Sequence, residues 1–600
     1  MKKFNNFLFL TPLLAISLFS GCASKSSKSA GTKSDKFNEM VDHYFEERLK
    51  LEPLYATSIG DHRFDDRLEL NLSEEHRTKE LAVVESALSE IQALTCKDLN
   101  EQDTLTCETL QEDLESTKQL LKTNVAYLMP FDQLNLFPSE FAELASGSGN
   151  VTFDKQSDYE NFLKRMQVVP AYIDTMIANL KLGVKKKVTT PKLLVKKGLK
   201  QVKDLLPQDP MTSIFYKPLL KVDDVVKNKE TANHLKLAYA EEIKNHLYPA
   251  YRKLIAYVEK DYLPHARTTT GILSVPGGKE AYLALVRSHT TTHLSPDEIM
   301  KTGYAEVDRI LKQLKEAQKQ IGYKGTLREF FHYLRTDPEI YPFTTSDEIL
   351  NYYRSMQAQL MEKVPAHFRL LPKEKLEVKE VEKFKAATAS ESYSNGDPDG
   401  SRPGIFWVPI PDPKKYPKKD MESLFLHEAI PGHHFQISIQ QELPLSRYRR
   451  FAQNNAYVEG WALYCESLGS DLGFYHDPYQ WIGRLANEMH RAIRLVVDTG
   501  MHWKGWSREK AIRYSMEHEP YDEHEIVVEI ERYMAWPGQA LAYKLGEIKI
   551  QQLKAKAKAE LGARYDDRDF HDEILKDGSL PLSVLESKVE NWIKDKKKAG

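Results

Sequence analysis

Net charge of either sign is nearly absent from this chain: 600 residues sum to −3. Binding nucleic acid by neutralising phosphates needs an excess of Lys and Arg, so no nucleic-acid partner is expected. Long apolar runs are scarce as well. The N-terminal run over residues 7–19 is short for a membrane span and suits the apolar stretch of a secretory signal behind Lys2 and Lys3. No short-period repeat occurs, which excludes a solenoid. Cysteines are few, four in all. Cys96 and Cys107 lie close in sequence, and export would permit a disulfide between them. Cys465 sits among apolar residues, as a small buried side chain would. Aromatic residues, by contrast, make up 10% of the chain, enough with ordinary Gly and Pro to build a large core. The length implies several domains or one large enzyme.

The stretch Leu426-His427-Glu428-Ala429-Ile430-Pro431-Gly432-His433-His434 concentrates three imidazoles and a carboxylate in an apolar setting. Imidazole is the commonest side-chain ligand for zinc, and a Glu beside a ligand can deprotonate a water on the metal. The usual helical pattern puts the second His at i+4. Here that place is taken by Pro431. On a straight helix His433 and His434 would lie roughly 10 Å along the axis from His427, too far to share an ion. Pro431 breaks the helix and Gly432 admits unusual backbone angles, so a bent turn can swing a later His back. His433 needs the least axial shortening and is the expected second ligand, with His434 as the alternative. A single His here would read as an ordinary helix-end residue; three with a Glu do not.

Three protein ligands and a water define a catalytic zinc site. The third is expected from Tyr457-Val458-Glu459-Gly460-Trp461-Ala462-Leu463-Tyr464-Cys465-Glu466, a helical stretch with a carboxylate among apolar residues. A buried carboxylate must be paired or bind metal. Glu459 is the candidate, with Glu466 two turns on as the group that orients a ligand; alone, Glu459 would read as the partner of an Arg in a bundle. Asp498 and His502, at i and i+4, are candidates for substrate orientation or for an ordinary Asp–His pair. In the run from Glu531 to Tyr543, Arg532, Tyr533 and Gln539 suit a substrate pocket, and Arg402 joins them. An Arg can grip a peptide carboxylate, and Tyr543 or His502 can donate to a developing oxyanion.

The rest of the chain reads as mostly α. Phe37, Met40, Val41 and Tyr44 recur at helix spacing, Ser73 and Ser295 look like N-caps, and a further helix opens at Ser346. Lys185 to Lys203 includes a basic patch, read as a solvated face or a contact to anionic lipid. Residues 391–404 carry every turn signal, and residues 405–408 form a short strand whose following prolines favour a sheet edge beside the catalytic helix. An edge there could pair with an extended peptide. A helix over residues 421–430 then delivers the motif.

Two resemblances add to this. Ser20-Gly21-Cys22 resembles a bacterial lipobox, which implies a signal peptide over residues 1–22, lipidation of Cys22 and a flexible tether over 23–34. Ala23 in place of Asp implies the outer membrane, facing the periplasm of a Gram-negative cell. The His427–His434 run, Gly400-Ser401-Arg402-Pro403-Gly404, Glu459-Gly460-Trp461-Ala462 and the Arg532–Ala540 run together resemble the DUF885 family. That resemblance spans residues 35–600, with a catalytic core at about 380–550. It implies a large two-lobed helical fold of zincin metallopeptidase type, with a small β-sheet beside the active-site helix. The expected activity is hydrolysis of short peptides, with one Zn2+ held by His427, His433 and Glu459 and Glu428 as general base. The alternatives are a peptide-binding lipoprotein without turnover, and a metal-dependent amidase acting on cell-wall fragments.

Overall fold

The computed structural model describes residues 32–147, 149, 151–381, 383–386, 389–397, 400 and 402–598. The expected signal peptide, Cys22 and most of the tether lie outside these residues. Among the described residues, no helix is long and apolar enough to cross a membrane.

The chain is mostly helical with one three-stranded sheet. Helix α1 (Lys33–Leu51) starts at a capping box between Thr32 and Asp35 and buries Phe37, Met40, Val41 and Tyr44, the face read from the sequence. Helix α2 (Glu74–Ala93) is capped by Ser73. A disulfide between Cys96 and Cys107 ties the turn after α2 to α3 (Glu101–Lys122), and Cys465 is buried and free. Helix α4 (Pro296–Gln320) opens on the expected Ser295 cap. Helix α5 (Ser346–Lys363) also starts where expected, with Thr345 as its cap.

The sheet corrects one expectation. Strand β1 (Leu376–Glu380) pairs in parallel with β3 (Gly404–Val408), and β2 (Ser392–Ser394) pairs antiparallel on its other side. Residues 405–408 are therefore central, not an edge. Pro409 follows the last paired residue, Val408, so its missing N–H falls beyond the ladder. The exposed edge is β2, inside a segment whose turn residues read as loop throughout. Phe406 of β3 meets Phe425 edge-on at 5.6 Å, which seats the sheet against the next helix.

Helices α6 (Met421–Glu428), α7 (His433–Glu442) and α8 (Asn455–Ser467) follow. Then comes α9 (Pro478–His502), nearly all of whose residues are buried. Its apolar side, with Leu485, Met489, Ile493 and Val497, shares a core with Val307, Ile310 and Leu314 of α4. Gln480 and Asn487 of α9 bind the flank of α6. Asn487 Nδ2 donates to Ser423 Oγ at 2.6 Å, and Gln480 Nε2 donates to Lys418 O, just ahead of α6, at 2.8 Å. Helices α10 (Glu523–Ala535) and α11 (Ala542–Leu561) complete the surround. Helices α8 and α11 touch backbone to backbone at Gly460 and Gly546: a Cβ on Gly546 would lie 1.9 Å from Ala456 O, so only glycine fits there.

Candidate metal centre

The bent turn exists, as a break between two helices. Helix α6 ends at Glu428, two residues sooner than expected. Ala429 leaves the helical region with φ −110° and ψ −97°, and the Ile430–Pro431 peptide is cis. Helix α7 begins at His433 and folds back on the last turn of α6. A Cβ on Gly432 would stand 1.8 Å from His427 O, so the fold-back requires glycine. Trp461 Nε1 of α8 donates to Pro431 O at 2.9 Å and holds the break in place.

This brings the rings of His427 and His433 to 4.9 Å, perpendicular to each other. Glu459 of α8 completes the set. Its Oε2 is 3.7 Å from His427 Nε2 and 3.5 Å from His433 Nε2, and one donor atom from each residue lies within 4.8 Å of the others. Zinc bonds of about 2.0–2.2 Å at tetrahedral angles hold donors roughly 3.3–3.5 Å apart, so the set needs little movement to take an ion. The side chain of His427 is 4% exposed, and those of His433 and Glu459 are 12% and 18%, which leaves the centre open on one side.

Electrostatics favour a cation here. Burial pushes the Glu459 carboxyl up, but the two imidazoles outweigh it and hold the group well below the usual carboxylate range. Burial pushes His427 down, and Glu459 and Glu466 outweigh that, raising it to about 9. His427 Nδ1 donates to Glu466 Oε1 at 2.8 Å, which leaves Nε2 to face the centre. Glu428, next to the first His, is half-buried, and among the described residues its carboxylate makes no hydrogen bond or ion pair.

His434 is turned away. Its Nδ1 lies 3.2 Å from Tyr393 Oη of β2 and 3.3 Å from Ser438 Oγ, and burial lowers its pKa to about 4. It supports the sheet edge. His502 is also elsewhere, and its expected role at the oxyanion is corrected. Its Nδ1 accepts from Ile272 N at 3.1 Å and its Nε2 donates to Tyr533 O at 2.9 Å, so backbone uses both nitrogens. Asp498 does not pair with it. Asp498 is fully buried and accepts from Tyr282 Oη at 2.6 Å and Gly538 N at 3.0 Å.

Arg532, Gln539 and Tyr543 do meet. Arg532 Nη2 donates to Gln539 Oε1 at 2.7 Å and to Tyr543 Oη at 3.4 Å. Tyr533, expected to touch substrate, is buried behind them. Its hydroxyl donates to Glu529 Oε2 at 2.6 Å and accepts from Arg494 Nε at 3.0 Å. Arg494 and Glu529 were not singled out in the sequence. The signal was a row of four charges on α9, Arg484 and Glu488 one turn apart and Arg494 and Asp498 one turn apart, in a buried helix.

A cavity of about 1540 Å3 opens beside the centre. Its walls include Tyr393 and Ser394 of β2, Gln441 of α7 and Val458 of α8, the neighbour of Glu459, together with Arg402. Arg402 is exposed and pairs with Asp397 at 3.1 Å. The three metal-donor residues do not themselves line this cavity.

The family profile described as "Bacterial protein of unknown function (DUF885)" matches residues 53–589. A candidate lipoprotein from Colwellia psychrerythraea has a similar crystal structure, at 29% identity and a TM-score of 0.86, covering 94% of this chain and 99% of its own. A candidate lipoprotein of unknown function from Shewanella oneidensis shares the fold at 20% identity and a TM-score of 0.71, covering 92% and 99%. No curated protein matches the chain.

Proposed function

This chain belongs to the DUF885 family, and we propose that it is a one-zinc peptidase of zincin type that hydrolyses short peptides. The observation that carries this reading is the convergence of His427, His433 and Glu459 within 4.8 Å, with the unpaired Glu428 carboxylate beside them. Bound there, zinc would supply Lewis acidity toward water and the peptide carbonyl.

The chain's own residues supply the rest. Glu428 takes a proton from the attacking water and hands it to the leaving amine nitrogen. Tyr543 accepts from Arg532, at 3.4 Å, which leaves its own proton free to donate to the carbonyl oxygen as charge builds there. The outer side of β2 offers unpaired backbone groups to an extended peptide. Helices α1 to α3 contribute to the far wall of the cavity, through Tyr44, Glu80 and Asp113 among others, which favours small or unfolded substrates. A two-lobed zincin-like arrangement goes with this reading. So does a lipid anchor at Cys22 in the cell envelope, facing the periplasm from the outer membrane, supported by the lipobox and the descriptions of the two structural relatives.

The test is metal analysis of the purified protein beside turnover of a peptide library by wild type and Glu428→Gln. The expected outcome is one zinc per chain in both, with kcat/KM down about 10²- to 10⁴-fold in the variant. Absence of any bound metal would end the reading.

A further inference from the structure

Two guanidinium groups share one carboxylate between α9 and α10. Arg494 Nη2 donates to Glu529 Oε2 at 3.0 Å, and Arg532 Nη1 reaches the same atom at 3.2 Å. The His490 ring, whose Nε2 lies 3.4 Å from the same oxygen, is held through Nδ1 by Glu519 at 2.6 Å. The two Arg therefore carry one more positive charge than Glu529 can neutralise. Arg494 is 5% exposed, and its Nη1 is buried with no hydrogen-bond partner among the described residues. An unsatisfied buried guanidinium nitrogen is costly. Arg532 has Gln539 and Tyr543, both neutral, on its Nη2. These two partners fix its plane without cancelling its charge. Its side chain is 20% exposed, so an anion can reach it.

Two walls tie this cluster to the centre. Helices α6 and α9 are joined at Ser423, whose Oγ accepts from Asn487 Nδ2. His427 is one turn beyond Ser423 on α6, and Arg494 is two turns beyond Asn487 on α9. On the other side, Arg494 lies over the ring of Tyr543 at 4.6 Å. Tyr543 is one turn before Gly546, which packs against Gly460, the neighbour of Glu459. The spare positive charge is thus tied to the helices that carry the candidate metal donors.

We propose that Arg532, backed by Arg494 and oriented by Gln539, binds the free C-terminal carboxylate of a peptide, so that the enzyme trims peptides from that end. A carboxylate accepts two parallel bonds from a guanidinium, and the excess charge favours it over a neutral terminus. This rests on the peptidase reading for its consequence, but carboxylate binding can be measured without turnover.

The probe is an alanine pentapeptide as free acid and as C-terminal amide. Binding to the Glu428→Gln protein is read by calorimetry. The acid is expected to bind at least about tenfold more tightly. Arg532→Met should erase the difference, and Arg532→Lys should restore part of it. Because the ligand pair alone carries the comparison, a variant that fails to fold does not decide it. Equal binding of the two peptides, including binding of neither, overturns the proposal. Wild type cleaving acid and amide at equal rates removes the carboxylate anchor and leaves the peptidase reading standing. Acid-selective binding with no cleavage of either does the reverse.

Discussion

His427 donates through Nδ1 to Glu466 Oε1 at 2.8 Å while its Nε2 faces Glu459. One imidazole thus bridges two carboxylates of the same helix, two turns apart. Glu466 is 1% exposed, and its second oxygen has no hydrogen-bond partner among the described residues. Its charge therefore acts chiefly through His427, making the ring a stronger donor of electron density to a metal. Glu466→Gln keeps the hydrogen bond but removes the charge. Zinc affinity, measured by competition with a chromophoric chelator, is expected to fall about 10- to 100-fold. Unchanged affinity would show that the carboxylate only fills space.

The two adjacent histidines should separate cleanly. His433 Nε2 points at Glu459, whereas His434 Nδ1 rests between two hydroxyls at the sheet edge. His433→Ala should leave a two-ligand site and lose stoichiometric zinc. His434→Ala should keep the zinc and lower the melting temperature, because it opens a hole behind Tyr393. Metal content by mass spectrometry decides it. Loss of zinc from the second variant alone would reverse the assignment of the ligand.

The site was legible where chemistry is local and illegible where it depends on pairing across the chain. His427, Glu428, His433 and Glu459 announce themselves because charged and ligating groups are conspicuous in apolar helices. Pro431 and Gly432 mark the bend, although not that α7 would restart at once. The sheet was misread because a three-residue strand among Ser, Asn, Gly and Asp has no hydrophobic alternation. Its partner on β3 is set by long-range register instead. His502 misled for a related reason. Spacing placed it one turn from Asp498, but which groups face a buried ring depends on the distant segments that pack on it, here those carrying Ile272 and Tyr533. The Arg494–Glu529 contact joins two helices 35 residues apart in sequence. No local pattern predicts such a partner; only the row of charges on one buried helix hints that one must exist.

That buried row makes a further prediction about pH. Asp498 is fully buried, with Tyr282 and Gly538 as donors and, among the described residues, no cation paired with it. Burial pushes its pKa up to about 7, against 3.8 for an exposed carboxyl, and the two donors only temper that. Below about pH 4 both folded and unfolded chains hold this proton. Between about 4 and 7 the unfolded chain releases it and the folded chain keeps it, so stability falls as pH rises. Above about 7 both are ionised and the loss levels off, at on the order of a few kcal/mol. Asp498→Asn keeps an acceptor for Tyr282 and Gly538 and removes the titration. The melting temperature of the variant minus that of wild type should therefore grow from pH 5 to pH 8. The comparison cancels the other groups that titrate in the same range. Because Gly538 immediately precedes Gln539, the variant also reports on the turn that carries the proposed carboxylate anchor. A temperature difference that stays constant across the range would mean that Asp498 is already ionised in the folded protein at pH 5, and that a cation compensates it.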